Sequence, residues 1–477
     1  MATVDMTILR YLFIALEVVL LFNLLIGVHE LGHFLAAKWR GLKVERFAIW
    51  FGKPLWKKKI GGVEYVLGSI PAGGYVSLPQ MATMEAIEGK TEETAEQLPN
   101  VSPLDKIIVA FAGPLFSFGL AVAFAVVVWG VGKPGDGGDD STVVGWVDPT
   151  GPAGKAGLLP GDTLLEVDGH PVNHFEAMSE DSVKWRIVTS EGPTIPIKYQ
   201  RDGKVAMAYP VPFHRATKWY ERKALRQLLI APAAKSVIFE VASNSPAALA
   251  GIKSGDEITA LNGRHIYSFE PVMEEQDSWT NRQPGPMTLT IKRGGEQFDR
   301  TLLAVKPKQP TNSPPLIGIL SLQVETNISL VHPSPLDQIQ TSVGQIMSTF
   351  HALFSSKSEI GVQQLGGAVM IIRVYSNLFQ SDDGWRRVLW FSVVMNVNLA
   401  LLNLLPLPVL DGGHILLSVI EFIRRRPVSN QILQFIQTGF VVVLISFMLY
   451  LAFFDTGDWV RSARADREAP IVFAPNK

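Results

Sequence analysis

The sequence predicts a polytopic α-helical membrane protein of about four transmembrane helices, with two small, mainly β modules inserted between the second and third. Three observations carry this prediction. Residues 11 to 37, 107 to 132, 388 to 410 and 432 to 454 each supply the ~20 mainly apolar residues that a bilayer requires. Basic residues gather in two of the joining loops, and the long insertion contains a repeat. With 47% hydrophobic residues and a formal net charge of -1, the chain is neither basic enough for nucleic acid to be its main partner nor polar enough to avoid lipid. It has no cysteine, so disulfides and thiolate metal sites are excluded.

The first segment holds "LLIGVHELGHFLAA", residues 24 to 37. Ionisable groups at membrane depth are costly, and their presence marks a functional site. His29 and His33 lie four residues apart, about 40° around a helix axis, so both imidazoles face one way and can hold one zinc ion. Glu30 can reach a water that the metal acidifies to a pKa near ~7 and serve as general base in peptide hydrolysis. With Glu17 and Glu30 the segment is too long and too polar for a cleaved signal peptide, and it is read as a retained helix. Beyond it, Lys38, Arg40, Lys43, Arg46, Lys53, Lys57, Lys58 and Lys59 face a single Glu45. This loop, and the one with Arg424, Arg425 and Arg426, should be cytoplasmic, which sends the insertion and both termini outside.

In the insertion, "PAGKAGLLPGDTLLEVDGHPV" from Pro152 aligns with "PAALAGIKSGDEITALNGRHI" from Pro246, matching Gly157 to Gly251, Asp162 to Asp256 and Gly169 to Gly263. Two copies of one module follow, over residues 141 to 215 and 235 to 308. Each reads as a short helix ending at Gly, a Gly-Asp turn, an alternating strand, and an Asp-Gly or Asn-Gly turn. This core resembles the PDZ domain of bacterial proteases, which implies possession of a sheet edge able to bind extended peptides. No residue pattern names a ligand, so the modules can equally be spacers or steric plugs. "VKPKQPTNSPP", residues 305 to 315, closes the second module as a linker. In the stretch from 309 to 387, residues 335 to 380 read as helices whose apolar faces can lie on the membrane.

Two histidines leave zinc short of a protein ligand. A His-x-x-Gly-x-x-His continuation fails, because Ala36 and Trp39 occupy those places. Glu45 and Glu64 belong to a charged, solvated surface. The stronger candidate lies in "NVNLALLNLLPLPVLDGGH", residues 396 to 414, where Pro406 and Pro408 break the helix between Asn403 and Asp411. Freed carbonyls are tolerated in a membrane only where protein or a wet cavity covers them, so the break marks a site. Asp411 can bind zinc, Gly412 and Gly413 allow close backbone approach, and Asn403 offers an amide either to substrate or to another helix. His414 is read as a neighbour behind Asp411 or an interfacial residue.

The His-Glu-x-x-His of the first span, the "NLLPLPVLDG" of a later one, and the paired modules together resemble the site-2 protease family, nearest its bacterial regulator-of-sigma-E type with four spans and two tandem PDZ domains. The resemblance covers nearly the whole chain. It implies zinc ligands His29, His33 and Asp411, Glu30 as catalytic base and Asn403 as a substrate contact. It also implies that "GGVEYVLGSIPAGGYVSL", residues 61 to 78, is a membrane-reentrant β-hairpin turning at Gly73 and Gly74, its edge near Tyr75 pairing with an unwound substrate. Gly113 and Pro114 stand where the family carries a Gly-Pro motif, whereas "QQLGGAVMII" replaces its frequent Ser-Gly-Pro. The implied substrates are transmembrane proteins, such as anti-sigma factors or remnant signal peptides, cleaved in a bacterial inner membrane with the modules on the periplasmic side. A noncatalytic PDZ scaffold, a zinc transporter and a lipid-directed zinc hydrolase are the other classes; the scaffold would need neither Glu30 nor Asp411.

Overall fold

The computed structural model describes residues 2–81, 101–135, 141–175, 180–280, 282–323, 330–381, 383–426, 428, 430–465 and 470–474. They form two compact units, one of residues 1–133, 330–346 and 366–456, the other of 134–329, 347–365 and 457–477.

The first unit is built on helices α1 (Ala2–Trp39) and α2 (Pro103–Val131). Ser102 caps α2 by accepting the Asp105 amide at 3.2 Å, and Pro103 takes the first helical position, where no amide hydrogen is missed. After the long insertion come α3 (Pro335–Phe354), α4 (Ala368–Gln380), α5 (Gly384–Asn403), α6 (Asp411–Arg424) and α7 (Asn430–Ala465). Residues 335–380 contain the two helices α3 and α4. Three helical stretches among the described residues are long and apolar enough to cross a membrane: Leu12–Trp39, Pro103–Val131 and Gln431–Ala463. The segment expected to span 388 to 410 is not one of these three. Its helix stops at Asn403, because Pro406 and Pro408 cannot continue the hydrogen-bond ladder, and Arg386, Arg387, Asn396, Asn398 and Asn403 make it more polar than the other three.

Between α1 and α2 lies a four-stranded sheet of β1 (Arg46–Phe51), β2 (Trp56–Ile60), β3 (Val63–Leu67) and β4 (Ile70–Ser77), in the order β2-β3-β1-β4. The hairpin expected over residues 61 to 78 is not formed. Strand β1 inserts between its two arms, pairing parallel with β3 (Phe47 opposite Tyr65) and antiparallel with β4 (Ala48 opposite Tyr75). The tight turn is instead Gly61-Gly62, both at positive φ, joining β2 to β3, while Gly73 and Gly74 lie within β4. Val63, Val76 and Ala48 are buried, and the first two pack with Phe34, Ala37 and Val109 of the helices.

The second unit contains two cores. One gathers Val144, Leu158, Leu164, Ile195 and Ile197, the other Ile238, Ile258, Met287, Leu289 and Ile291. The two aligned stretches share one buried anchoring arrangement. Asp162 and Asp256, each with 1% side-chain exposure, are gripped by Arg201 at 2.6 Å and Arg293 at 2.5 Å. Each carboxylate also accepts one backbone amide at 2.8 Å, from Leu159 or Lys253, and each arginine reaches the matching glycine carbonyl, Gly157 or Gly251, at 2.7 Å.

Candidate active site

Helical spacing places His29, Glu30 and His33 on the buried side of α1, and the chain returns Asp411 to them as the first residue of α6. A carboxylate there is favoured by the helix N-terminus. Asp411 Oδ2 lies 3.2 Å from His29 Nε2, Asp411 Oδ1 lies 3.3 Å from His33 Nε2, and the two Nε2 atoms are 3.2 Å apart. A tetrahedral zinc ion with bonds of ~2.0–2.1 Å holds its ligands about 3.3–3.4 Å from one another, so the donor set fits that ion. Among the described residues this is the group of three that can hold a metal.

The rings are set by partners on α2. His33 Nδ1 lies 2.8 Å from the Val109 carbonyl, which only accepts, so Nδ1 carries the hydrogen and Nε2 presents its lone pair inward. His29 Nδ1 contacts the hydroxyl of fully buried Ser117 at 3.0 Å. A side chain at Gly113 would put its Cβ 2.2 Å from His33 Nε2 and 2.9 Å from His29 Cε1; at Gly32 it would meet the Ala112 carbonyl oxygen at 2.4 Å. Both glycines let the helices close on the imidazoles. Gly412 and Gly413 do the same for the proline loop, whose Leu404 and Leu407 carbonyl oxygens would lie 2.2 and 2.0 Å from a Cβ at those positions. Farther along, Lys106 of α2 bonds Glu421 of α6 at 2.8 Å.

Two buried carboxylate oxygens find no hydrogen-bond partner among the described residues: Asp411 Oδ2 and Glu30 Oε2. An unpartnered carboxylate oxygen in a dry interior is expensive, and here both belong to the site. Strand β4 passes directly over Glu30. A Cβ on Gly74 would be 3.3 Å from Glu30 Cγ, so the glycine keeps that strand close to the carboxylate. Gly73, at φ +78°, lies under the Phe51 ring; Tyr75 stacks on that ring at 5.9 Å and accepts a hydrogen bond from Arg46. Trp50, kinked at φ 72°, donates its indole hydrogen to Asn23 and pins β1 to α1.

Of the residues singled out in the sequence, His29, Glu30, His33 and Asp411 come together, with Gly74 beside them. Asn403 is half-buried at the end of α5. Glu45 and Glu64 are elsewhere, paired with Lys43 at 3.5 Å and Arg46 at 2.7 Å. His414 is buried and lines a small cavity with His33, Asp411, Val76 and Met81, outside the trio itself. Ser117 and the Val109 carbonyl were missed by the sequence reading, since only the packing of α2 on α1 gives them a role.

Two imidazoles, a carboxylate and a free glutamate between lipid-compatible helices define a class: membrane-embedded, metal-dependent hydrolases. The family model described as peptidase family M50 matches residues 17–447, and the chain belongs to that family. Relatives include the regulator of sigma-E protease of Escherichia coli, 28% identical over 91% of this chain and 96% of its own length. The regulator of sigma-E protease of Salmonella typhimurium is 29% identical over 87% and 91%. A Vibrio cholerae relative whose name carries the words zinc metalloprotease is 27% identical over 90% and 94%. The chain is thus a zinc-dependent intramembrane protease of the site-2 type.

Proposed function

We propose that His29, His33 and Asp411 hold the zinc ion and that Glu30 is the general base. The observation that carries this reading is the convergence of the three donors at 3.2 to 3.3 Å beside a buried Glu30 oxygen with no partner. Bound zinc supplies Lewis-acid polarisation of the scissile carbonyl and acidifies the attacking water. Glu30 takes the proton from that water and returns it to the leaving amine. Val109 and Ser117 keep the two imidazoles turned so that their Nε2 atoms stay convergent.

A helical amide is shielded by its own hydrogen bonds, so the substrate must open first. Strand β4 is the edge of its sheet among the described residues, and its free side supplies backbone donors and acceptors for an extended segment. Gly73, Gly74 and Tyr75 would line that segment next to Glu30, with the Asn403 amide as a further contact. The relatives' name points to control of a sigma factor, and we extend that class, membrane-spanning regulatory proteins, to this chain. We place four spans in a bacterial inner membrane, α5 being the third, with PDZ-type modules on the periplasmic side. An export-dependent reporter should work after Lys133 or within residues 305 to 315 and fail near Lys58.

The modules join the second and third spans, a position suited to sorting substrates by size or to recruiting them through a peptide groove. Deleting residues 141 to 308 should admit substrates with intact external domains in the first case and abolish cleavage in the second. Residue roles are tested with purified protein, a labelled transmembrane peptide and the product masses. Hydrolysis by wild type and none by Glu30→Gln at equal zinc content is the expected result, and equal cleavage by both overturns the assignment of the base.

A further inference from the structure

The first module carries an apolar stripe that its core does not use. From Met207 to Val211 exposed residues alternate with buried Ala208 and Pro210, and Val205, Met207, Tyr209, Val211 and Phe213 are 43 to 63% exposed. Extended backbone puts such alternate residues on one side. Trp219, 85% exposed, follows in the next loop. Single exposed apolar residues are ordinary, but six large ones within 15 positions form a patch. Residues 213 to 223 add Arg215, Lys218, Arg222 and Lys223 against one acid, Glu221. Aromatic and aliphatic side chains among cations suit the headgroup region of a bilayer, where rings sit at the apolar boundary and Lys and Arg meet phosphates.

The loop is also fastened where such a boundary belongs. Arg222 donates to Asp458 at 2.7 Å and to the Leu365 carbonyl at 3.0 Å, and Gln364 donates to the Lys223 carbonyl at 2.8 Å. Asp458 stands on the last turns of α7, inside the apolar stretch Gln431–Ala463, and these turns belong to the same compact unit as the module. Its neighbours Trp459 and Val460 are 52% and 45% exposed, an aromatic position typical of a span's end. Val362, 47% exposed, lies one residue from Gln363, whose carbonyl Arg222 also engages. The loop is thus fastened to the exposed, apolar end of α7.

We propose that residues 209 to 223 are a membrane-interface anchor. Tyr209, Val211, Phe213 and Trp219 enter the headgroup region of the leaflet at the Asp458 end of α7, and Arg215, Lys218 and Lys223 contact lipid phosphates. Anchoring holds the first module against the bilayer, so its freedom is that of a tethered surface rather than of a linker.

The absence of cysteine makes the test direct. Full-length Trp219→Cys, carrying a polarity-sensitive fluorophore and reconstituted in nanodiscs of phosphatidylethanolamine with phosphatidylglycerol, is compared with the same label at Glu296, an exposed position of the second module. Lipids spin-labelled near the headgroup should quench most of the emission at 219 and leave 296 unchanged. Charge-neutral Arg215→Gln, Lys218→Gln, Lys223→Gln protein should lose much of that quenching in anionic discs. Because 219 is a surface position, a second label at Val211 checks that the result is not particular to one substitution. Equal, weak quenching at 211, 219 and 296 overturns the anchor, as does a label at 219 that is shielded only after a protein substrate is added. Neither readout depends on proteolysis.

Discussion

The molecule buries carboxylates in two ways. Asp162 and Asp256 are enclosed by an arginine fork and a backbone amide, so their charge is matched within the module. Asp411 is enclosed by two imidazole nitrogens, and its Oδ2 makes no hydrogen bond. Pairing a buried charge with an arginine ties a strand to a turn; leaving it to face imidazole nitrogens makes a place for a cation. The same residue type is therefore a fastener in one unit and the proposed ligand in the other, and the neighbours make the difference.

The comparison breaks most sharply if the roles can be exchanged. Asp411→Ala should remove both zinc and activity, measured by metal content and peptide cleavage, while Asp162→Ala should leave zinc at about one per chain. Retained zinc in the first variant would return the third ligand to the charged loop of Glu45 and Glu64. Glu30→Gln should keep the metal and lower turnover by ~10³-fold or more, the loss of a general base. Gly113→Ala places a methyl 2.2 Å from His33 Nε2 and should reduce activity by about 10²-fold through displaced imidazoles. Gly119→Ala on the same helix has open space and should be silent; equal losses in the two would mean the effect comes from the helix, not the site.

The smallest effect belongs to the fastener. Asp256→Ala leaves the Lys253 amide and the arginine fork without their acceptor and should destabilise the second module by about 1–3 kcal/mol in denaturant unfolding, with zinc unchanged. Burial raises the Asp256 carboxyl, but the Arg293 fork and the Lys253 amide outweigh it and hold the group below the ordinary carboxylate value. Its folded pKa is thus lower than its unfolded one, so the contribution is complete above pH ~4 and fades as pH falls through the depressed value. A module whose stability is flat between pH 5 and 2, beside an Asp256→Asn control, would contradict this.

The sequence exposed the site better than the fold around it. His29, Glu30 and His33 are legible because they share one helix with a fixed period, and Asp411 because two prolines interrupt an apolar run just before it. Local signals of that kind survive translation into structure. The sheet did not, since β1 pairs with β3 and β4 across a distance that alternation cannot encode, and a Gly-Gly pair looked like a turn when one member was making room for Glu30 and the other for Phe51. Ser117, the Val109 carbonyl and the clearance at Gly113 are likewise properties of two helices in contact. The matching surroundings of Asp162 and Asp256 were signalled by glycines and an aspartate kept in register, although Arg201 and Arg293 lie outside the aligned stretch.

The proline loop that brings Asp411 back to α1 also sets a schedule. Most of the chain separates His33 from Asp411, and a ribosome adding roughly 5–20 residues per second needs tens of seconds to cover that distance. During that interval the histidine pair and its glutamate are already in the membrane as an incomplete half. On the proposed ligand set, a nascent chain lacks its third metal donor until Asp411 has been made, so the site is completed only late in synthesis.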